Sequence, residues 1–174
     1  MKRIVLKISG EALSGDTGIG INYDKVKDIA KEIKDLHDSN DIELSIVVGA
    51  GNICRGREAI ATGMNRTNAD YMGMLATVIN AMALQGALEG LGKEAVVMTA
   101  LQMPIVTHFY TRRDCLEQLS KGRIVIFGGG IANPFFSTDT TAALRSCELD
   151  IDLILMAKNG VDGVYDKDPR KDKT

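Results

Sequence analysis

A lysine interrupts an apolar run near the start of the chain: in "RIVLKIS", Lys7 follows Ile4, Val5 and Leu6 and precedes Ile8. An ammonium inside a strand covered on both faces is costly unless it is paired. Lys7 therefore either reaches water past the strand's end or meets an anion, and Ser9 and Gly10 directly after it favour the anion. Other apolar runs also end in small-residue turns: "GAGN" at Gly49, "GGG" at Gly128 and "KNGVDGVY" at 158–165. Glycine lets backbone N–H groups approach an anion closely, and helix N-termini add partial positive charge. Several such turns point to phosphate, whereas any one alone would merely end a strand.

Arg55 in "GAGNICRG" suits a bidentate phosphate contact, with an ordinary surface arginine as the alternative. Asp70 stands at the start of a long uncharged segment, either as a first-turn acid that favours the helix dipole or as a contact to a ribose or base. His37 and His108 stand alone, so no histidine-based metal site or nucleophile–base pair suggests itself. A metal is expected only by way of phosphates. Neither the G-x-x-x-x-G-K-[ST] loop nor the G-x-G-x-x-G fingerprint is present.

The elements that must position these groups alternate. Apolar, β-branched runs begin at Arg3, Glu43, Glu94, Arg123 and Ile151, and helical patterns are predicted over 23–37, 68–89, 112–120 and 137–148. The first helix places Val26, Ile29, Ala30, Ile33 and Leu36 on one face, with Asn22 as its expected N-cap. The strands are nearly continuous apolar runs, which predicts a mainly parallel sheet covered on both faces in a three-layer α/β sandwich. Ligands in such sheets bind beyond the strands' carboxyl ends, where the glycine turns lie.

Composition narrows the function further. The chain has 174 residues, 45% of them hydrophobic, enough for a single domain over 1–174 with a sizeable core. Lys and Arg number 21 against 23 Asp and Glu, a net charge of -2 with no basic footprint for nucleic acid or a membrane surface. Cys54, Cys115 and Cys147 form no C-x-x-C pair, and their odd number fits neither a disulfide framework nor a zinc site; a reduced, cytoplasmic setting is expected. The uncharged stretch 71–88 approaches the length of a membrane span, but Thr77, Asn80 and Gln85 favour a helix buried in a core or a subunit interface. The mixed-charge ending "GVYDKDPRKDKT" directly after a core strand looks premature: it is either an ordinary solvated terminus or the point where a further C-terminal region is missing.

The segments "KRIVLKISGEAL", "VVGAGNICRG", "GMNRTNADYMGMLATVINAMALQ", "NPFFSTDTTAALR" and "LMAKNGVDGVYDKDP" closely resemble, in order over the whole chain, the bacterial uridylate (UMP) kinases of the amino-acid-kinase family. The resemblance implies transfer of the γ-phosphoryl group of ATP to UMP, giving UDP for pyrimidine nucleotide biosynthesis, with Mg²⁺ held on the ATP phosphates. By the same resemblance Lys7, Ile8, Ser9, Gly10, Gly51 and Arg55 would bind ATP phosphates, and Asn159, Tyr165 and Asp168 its adenosine part. UMP would meet Ala50, Asp70, Ile131, Ala132, Asn133, Pro134, Phe135, Phe136, Ser137 and Thr138, while Asp139 would position Lys7 for catalysis beside Arg55. Gly15, Asp16, Thr17, Gly18, Ile19 and Gly20 correspond to a region tied to activation by GTP. Inhibition by UTP and a homohexamer are implied as well.

The residue types suit that chemistry. A phosphate monoester has its second pKa near about 6, so the acceptor oxygen is largely ionised at neutral pH and needs no general base. What the reaction needs is in-line positioning and cations that suppress repulsion between two polyanions. Relatives in this family run on by about a third more chain than this sequence, although typical domains of about 100–150 residues could stop near here, and a non-catalytic nucleotide-binding module or inactive fragment of the same fold is the alternative. Phosphorylation of a carboxylate or carbamate is disfavoured by the intact "NPFFSTDT" segment.

Overall fold

The computed structural model describes residues 1–55 and 60–157. Its strands are β1 (Lys2–Ile8), β2 (Ile42–Val48), β3 (Ala95–Thr99), β4 (His108–Phe109), β5 (Ile124–Gly128) and β6 (Leu153–Ala157). The α-helices are α1 (Tyr23–Asp38), α2 (Arg66–Gly90), α3 (Arg112–Ser120) and α4 (Thr138–Leu149), with two short 3-10 turns at Gly10–Leu13 and Gly15–Thr17. The strands form one parallel sheet in the order β4-β3-β5-β2-β1-β6. β1 lies between β2 and β6, with Lys7 opposite Val47 on one side and Met156 on the other.

The expected continuous burial holds for the inner strands: β3 and β5 are buried throughout. Alternation along β1 divides the core. Ile4 and Ile8 pack with Val26, Ala30 and Ile33 of α1 and with Ala81, Leu84 and Leu88 of α2. Val5 faces the other way, onto a cluster that includes Cys115 and Leu119 of α3 and Ala142 and Leu149 of α4. Burial among these side chains pushes the Cys115 thiol up to about 12. Connections running toward β4 thus use α1 and α2 on one face, and those returning toward β6 use α3 and α4 on the other, as right-handed crossovers require. At the β5–β2 pair the connections leave for opposite faces, and the crevice so formed is where a parallel sheet accepts ligands.

Asn22 caps α1 as its position predicts, its side chain accepting the N–H groups of Asp24 and Lys25. α2 begins earlier than its apolar pattern, at Arg66, with Asn65 accepting the Thr67 N–H. Asp70 therefore lies in the second turn and is no first-turn acid. β4 was not expected: it is a two-residue edge strand whose side chains are both exposed, so no apolar run announces it.

α2 is long and apolar enough to cross a membrane by length and composition. One of its sides is core, as expected of a buried helix, but the opposite side is not buried: Met72, Leu75, Ile79 and Met82 are 42–50% exposed. Their spacing makes one stripe along the helix.

Candidate functional site

The Cβ alternation that sends Val5 toward α4 sends Lys7 the same way, two residues nearer the strand's carboxyl end. There its side chain, only 11% exposed, meets the first turn of α4, and Nζ lies 2.9 Å from Asp139 Oδ1. Both alternatives for the lysine are partly realised: it sits at the strand's end, and it meets an anion that belongs to the chain itself. α4 is held in place from its far end. The Arg145 guanidinium stacks 3.7 Å from the Tyr110 ring centre, while Tyr110 donates a 2.8 Å hydrogen bond to Glu148. Burial first, and then that bond to a carboxylate, raise the Tyr110 phenol above its ordinary value, so it stays a donor.

The turns after β1 and β2 touch. Gly49 donates its N–H to Ile8 O at 2.9 Å, and a Cβ placed on Gly10 would stand 2.6 Å from Gly49 O. Only glycine fits there. Arg55 folds back over the second turn, its Nε donating to Gly51 O at 3.1 Å and a terminal nitrogen lying 3.6 Å from Glu11 Oε1. Lys7, Ser9, Gly10, Gly51 and Arg55 are thus gathered at the carboxyl ends of β1 and β2.

The turn after β5 is strained. Gly129 and Gly130 take positive φ, and so do Ala132 (63°) and Phe135 (73°), which carry side chains. Left-handed conformations cost such residues about 1–2 kcal/mol each, so something must hold the bend. Phe135 donates its N–H to Asp70 Oδ2 at 2.7 Å, and Arg66, which binds both Asp70 oxygens at 2.9 Å, lies 5.3 Å from the Phe135 ring centre. Gly129 donates its N–H to Thr77 Oγ1 at 2.8 Å.

Between this bend and α2 opens a cleft lined by Ala50, Gly51, Asp70, Ile131, Asn133, Phe136, Ser137 and Thr138, all singled out in the sequence, together with Gly130. Ala132, Pro134 and Phe135 do not line it. The positive φ at Phe135 turns its ring outward beside Arg66, where it is exposed. The lining also contains Cys54, Ala69, Gly73, Met74, Thr77 and Thr141, which sequence reasoning did not assign. Thr77 had a signal, a hydroxyl in an uncharged and mostly apolar stretch; the others had none. Ile8 is a buried core residue. The loop Gly15–Gly20 runs beside the second turn, Gly20 donating its N–H to Asn52 O at 2.7 Å. Asn159, Tyr165 and Asp168 lie outside the described residues.

A parallel three-layer sandwich with a lysine paired to an aspartate at a strand's end, paired glycine turns and a cleft at the β5–β2 switch defines a class. The chain belongs to the amino acid kinase family, whose profile matches residues 2–174. Within that family it is 54% identical over 172 residues to the uridylate kinase of Limosilactobacillus reuteri, covering 99% of this chain and 71% of that protein. Its fold matches the crystal structure of UMP kinase from Bacillus anthracis with a TM-score of 0.89 at 43% identity, over 99% of this chain and 71% of the other. UMP kinase from Ureaplasma parvum matches with a TM-score of 0.88 at 40% identity, over 95% of this chain and 72% of the other. The chain is shorter than these relatives.

Proposed function

We propose that this chain is a phosphotransferase that moves the γ-phosphoryl group of ATP to UMP, giving UDP for pyrimidine nucleotide synthesis. The observation that carries the reading is the pairing of Lys7 with Asp139, the residue that directly follows Thr138 in the lining of a cleft bounded by Asp70 and the 129–138 bend. The cleft takes the acceptor: Asp70 and the bend hold the nucleoside, and the Ser137–Thr138 end of the bend holds its phosphate. The donor phosphates lie over Lys7, Ser9, Gly10 and Gly51, with Arg55 swinging from Gly51 O onto them. Two polyanions repel, and Lys7, Arg55 and turn N–H groups lower that repulsion as charge redistributes. Asp139 aims the Lys7 ammonium. Magnesium, if carried on the ATP phosphates, would supply further neutralisation; among the described residues no three His, Cys, Asp or Glu side chains gather into a metal site.

The division between acceptor and donor sites is testable at Thr138, which lines the cleft and opens α4. Thr138→Ala is expected to weaken UMP by about tenfold, the loss of one hydrogen bond to a charged group, while ATP affinity stays within twofold. Equal losses in calorimetric titrations of both nucleotides would show the division to be wrong. A coupled ADP-release assay offering UMP, CMP, aspartate and acetylglutamate tests the whole reading, with release expected for UMP alone.

The same reading includes a cytoplasmic homohexamer activated by GTP and inhibited by UTP. The α2 stripe supports self-association, because four large apolar residues in a row on a surface mark a contact face. Ile79→Glu places a charge in the middle of that stripe. Sedimentation velocity is expected to show smaller species for this variant than for the unsubstituted chain, and an unchanged profile would remove the stripe from the assembly. The Gly15–Gly20 loop, bonded through Gly20 to the turn that holds Gly51, is placed to pass an effector's presence to the site.

A further inference from the structure

Two buried asparagines from distant parts of the chain face each other behind the cleft. Asn52, 2% exposed, follows the Gly49–Gly51 turn, and Asn80, fully buried, sits in the third quarter of α2. Asn80 Nδ2 donates to Asn52 Oδ1 at 2.8 Å and to Gly49 O at 2.8 Å. Asn52 Nδ2 returns a bond to Asn80 Oδ1 at 3.1 Å and donates to Gly20 O at 2.7 Å. Each amide offers two N–H donors, and all of them are used. The two carbonyls outside the pair, Gly49 O and Gly20 O, fix which way both amides point.

We infer that the Asn52–Asn80 pair is the positioning device that sets the Gly49–Gly51 turn against both the Gly10 turn and the cleft. The inference rests on the phosphoryl-transfer reading. Its physical basis is the absence of slack at this place: a Cβ on Gly10 would stand 2.6 Å from both Gly49 O and Asn52 Oδ1. The turn that presents Ala50 and Gly51 to the cleft is therefore wedged between Gly10 and Asn80. Asn80 shares its helix with Thr77, which holds Gly129, and with Asp70, which holds Phe135. One helix thus grips the Gly49–Gly51 turn and two points of the 129–138 bend, and the amide pair is its grip on the turn. Reactants must be held close to in-line geometry, and a displacement of about 1 Å costs on the order of 10²-fold in rate.

The test uses Asn80→Asp and Asn52→Ala. The first keeps shape but removes both donors and sets a carboxylate against Gly49 O; the second empties one half of the pair and releases Gly20 O. Leu88→Ala serves as the control, because Leu88 is a fully buried residue of the same helix that does not line the cleft. UMP titration by calorimetry, steady-state ADP release and the thermal midpoint are read on all of them. Each asparagine variant is expected to weaken UMP by about tenfold and to lower kcat by about a hundredfold, a larger loss than the rise in KM. Leu88→Ala is expected to lower the midpoint at least as far and to change neither quantity by more than threefold. A folded asparagine variant that binds and turns over within threefold of the parent overturns the inference, as do losses that merely track the midpoint across all variants. Absence of UMP-dependent ADP release from the parent chain overturns the transfer reading instead, and the titration then decides the pair by itself.

Discussion

Lys7→Ala is expected to lower kcat for UMP-dependent ADP release by roughly 10²–10³-fold, the usual cost of deleting one preorganised charge from a transferring group, while UMP affinity changes by less than about threefold. The asymmetry follows from where the lysine sits. Its ammonium lies at the carboxyl end of β1 beside the first turn of α4, and on the proposed division of the site it would face the transferring group more than either nucleotide. Asp139 and the flanks of β2 and β6 leave that ammonium little freedom, so little is spent on ordering it when the reactants arrive. Lys7→Met, which keeps the length of the apolar stem, separates lost charge from lost packing and is expected to be as slow as alanine. Turnover within tenfold of the parent in either variant, measured at saturating ATP and UMP, would remove Lys7 from catalysis.

Gly10→Ala is the second severe change, and here the cause is space. The added methyl would stand 2.6 Å from Gly49 O and 2.7 Å from Gly49 C, both backbone atoms of the neighbouring turn. Backbone cannot yield as a side-chain tip can, so the two turns must separate. Overpacking of this kind costs about 1–3 kcal/mol, and the displaced turns are expected to lose at least tenfold in kcat. Gly51→Ala supplies the contrast. The atoms nearest its methyl would be Glu11 Cγ at 3.3 Å, Oε1 at 3.4 Å and Cδ at 3.7 Å, all of one flexible side chain that can move aside. Thermal unfolding of both variants checks the pair: the midpoint is expected to fall clearly for Gly10→Ala and by no more than a degree or two for Gly51→Ala. Equal midpoints would mean that the turns are looser than their contacts indicate.

Most of the scaffold was legible because its signals are local. Apolar runs gave β1, β2, β3, β5 and β6, the 3.6-residue period gave the helices, and Asn22 marked the start of α1. β4 escaped because two exposed residues have no period. Lys7 and the strand-end glycines were legible from type, as anomalies that chemistry explains, whereas Arg55 and Asp70 stayed open and Asp139 entered only through the family resemblance. The bonds that hold the turns in place were not legible, because they join residues far apart in sequence. Asp70 reaches Phe135, Thr77 reaches Gly129 and Asn80 reaches Asn52. In the sequence Thr77 and Asn80 served only to argue that their helix does not cross a membrane. The outward turn of Phe135 had no signal at all, since a positive φ at phenylalanine is imposed by its surroundings and opposed by its own side chain.

The division of α2 among core, cleft and exposed stripe also sets how freely this segment can drift in sequence. A surface helix ordinarily keeps a polar face on which most substitutions are silent. In α2, Leu84 and Leu88 answer to the sheet, Asp70, Thr77 and Asn80 to the site turns, and Met72, Leu75, Ile79 and Met82 form an apolar stripe on the remaining side. Few positions between Ala69 and Leu84 are left without a duty. A saturation scan of the gene under selection for growth would find this the least tolerant stretch of the described chain, with α1, whose outer face is lysine and aspartate, the natural comparison.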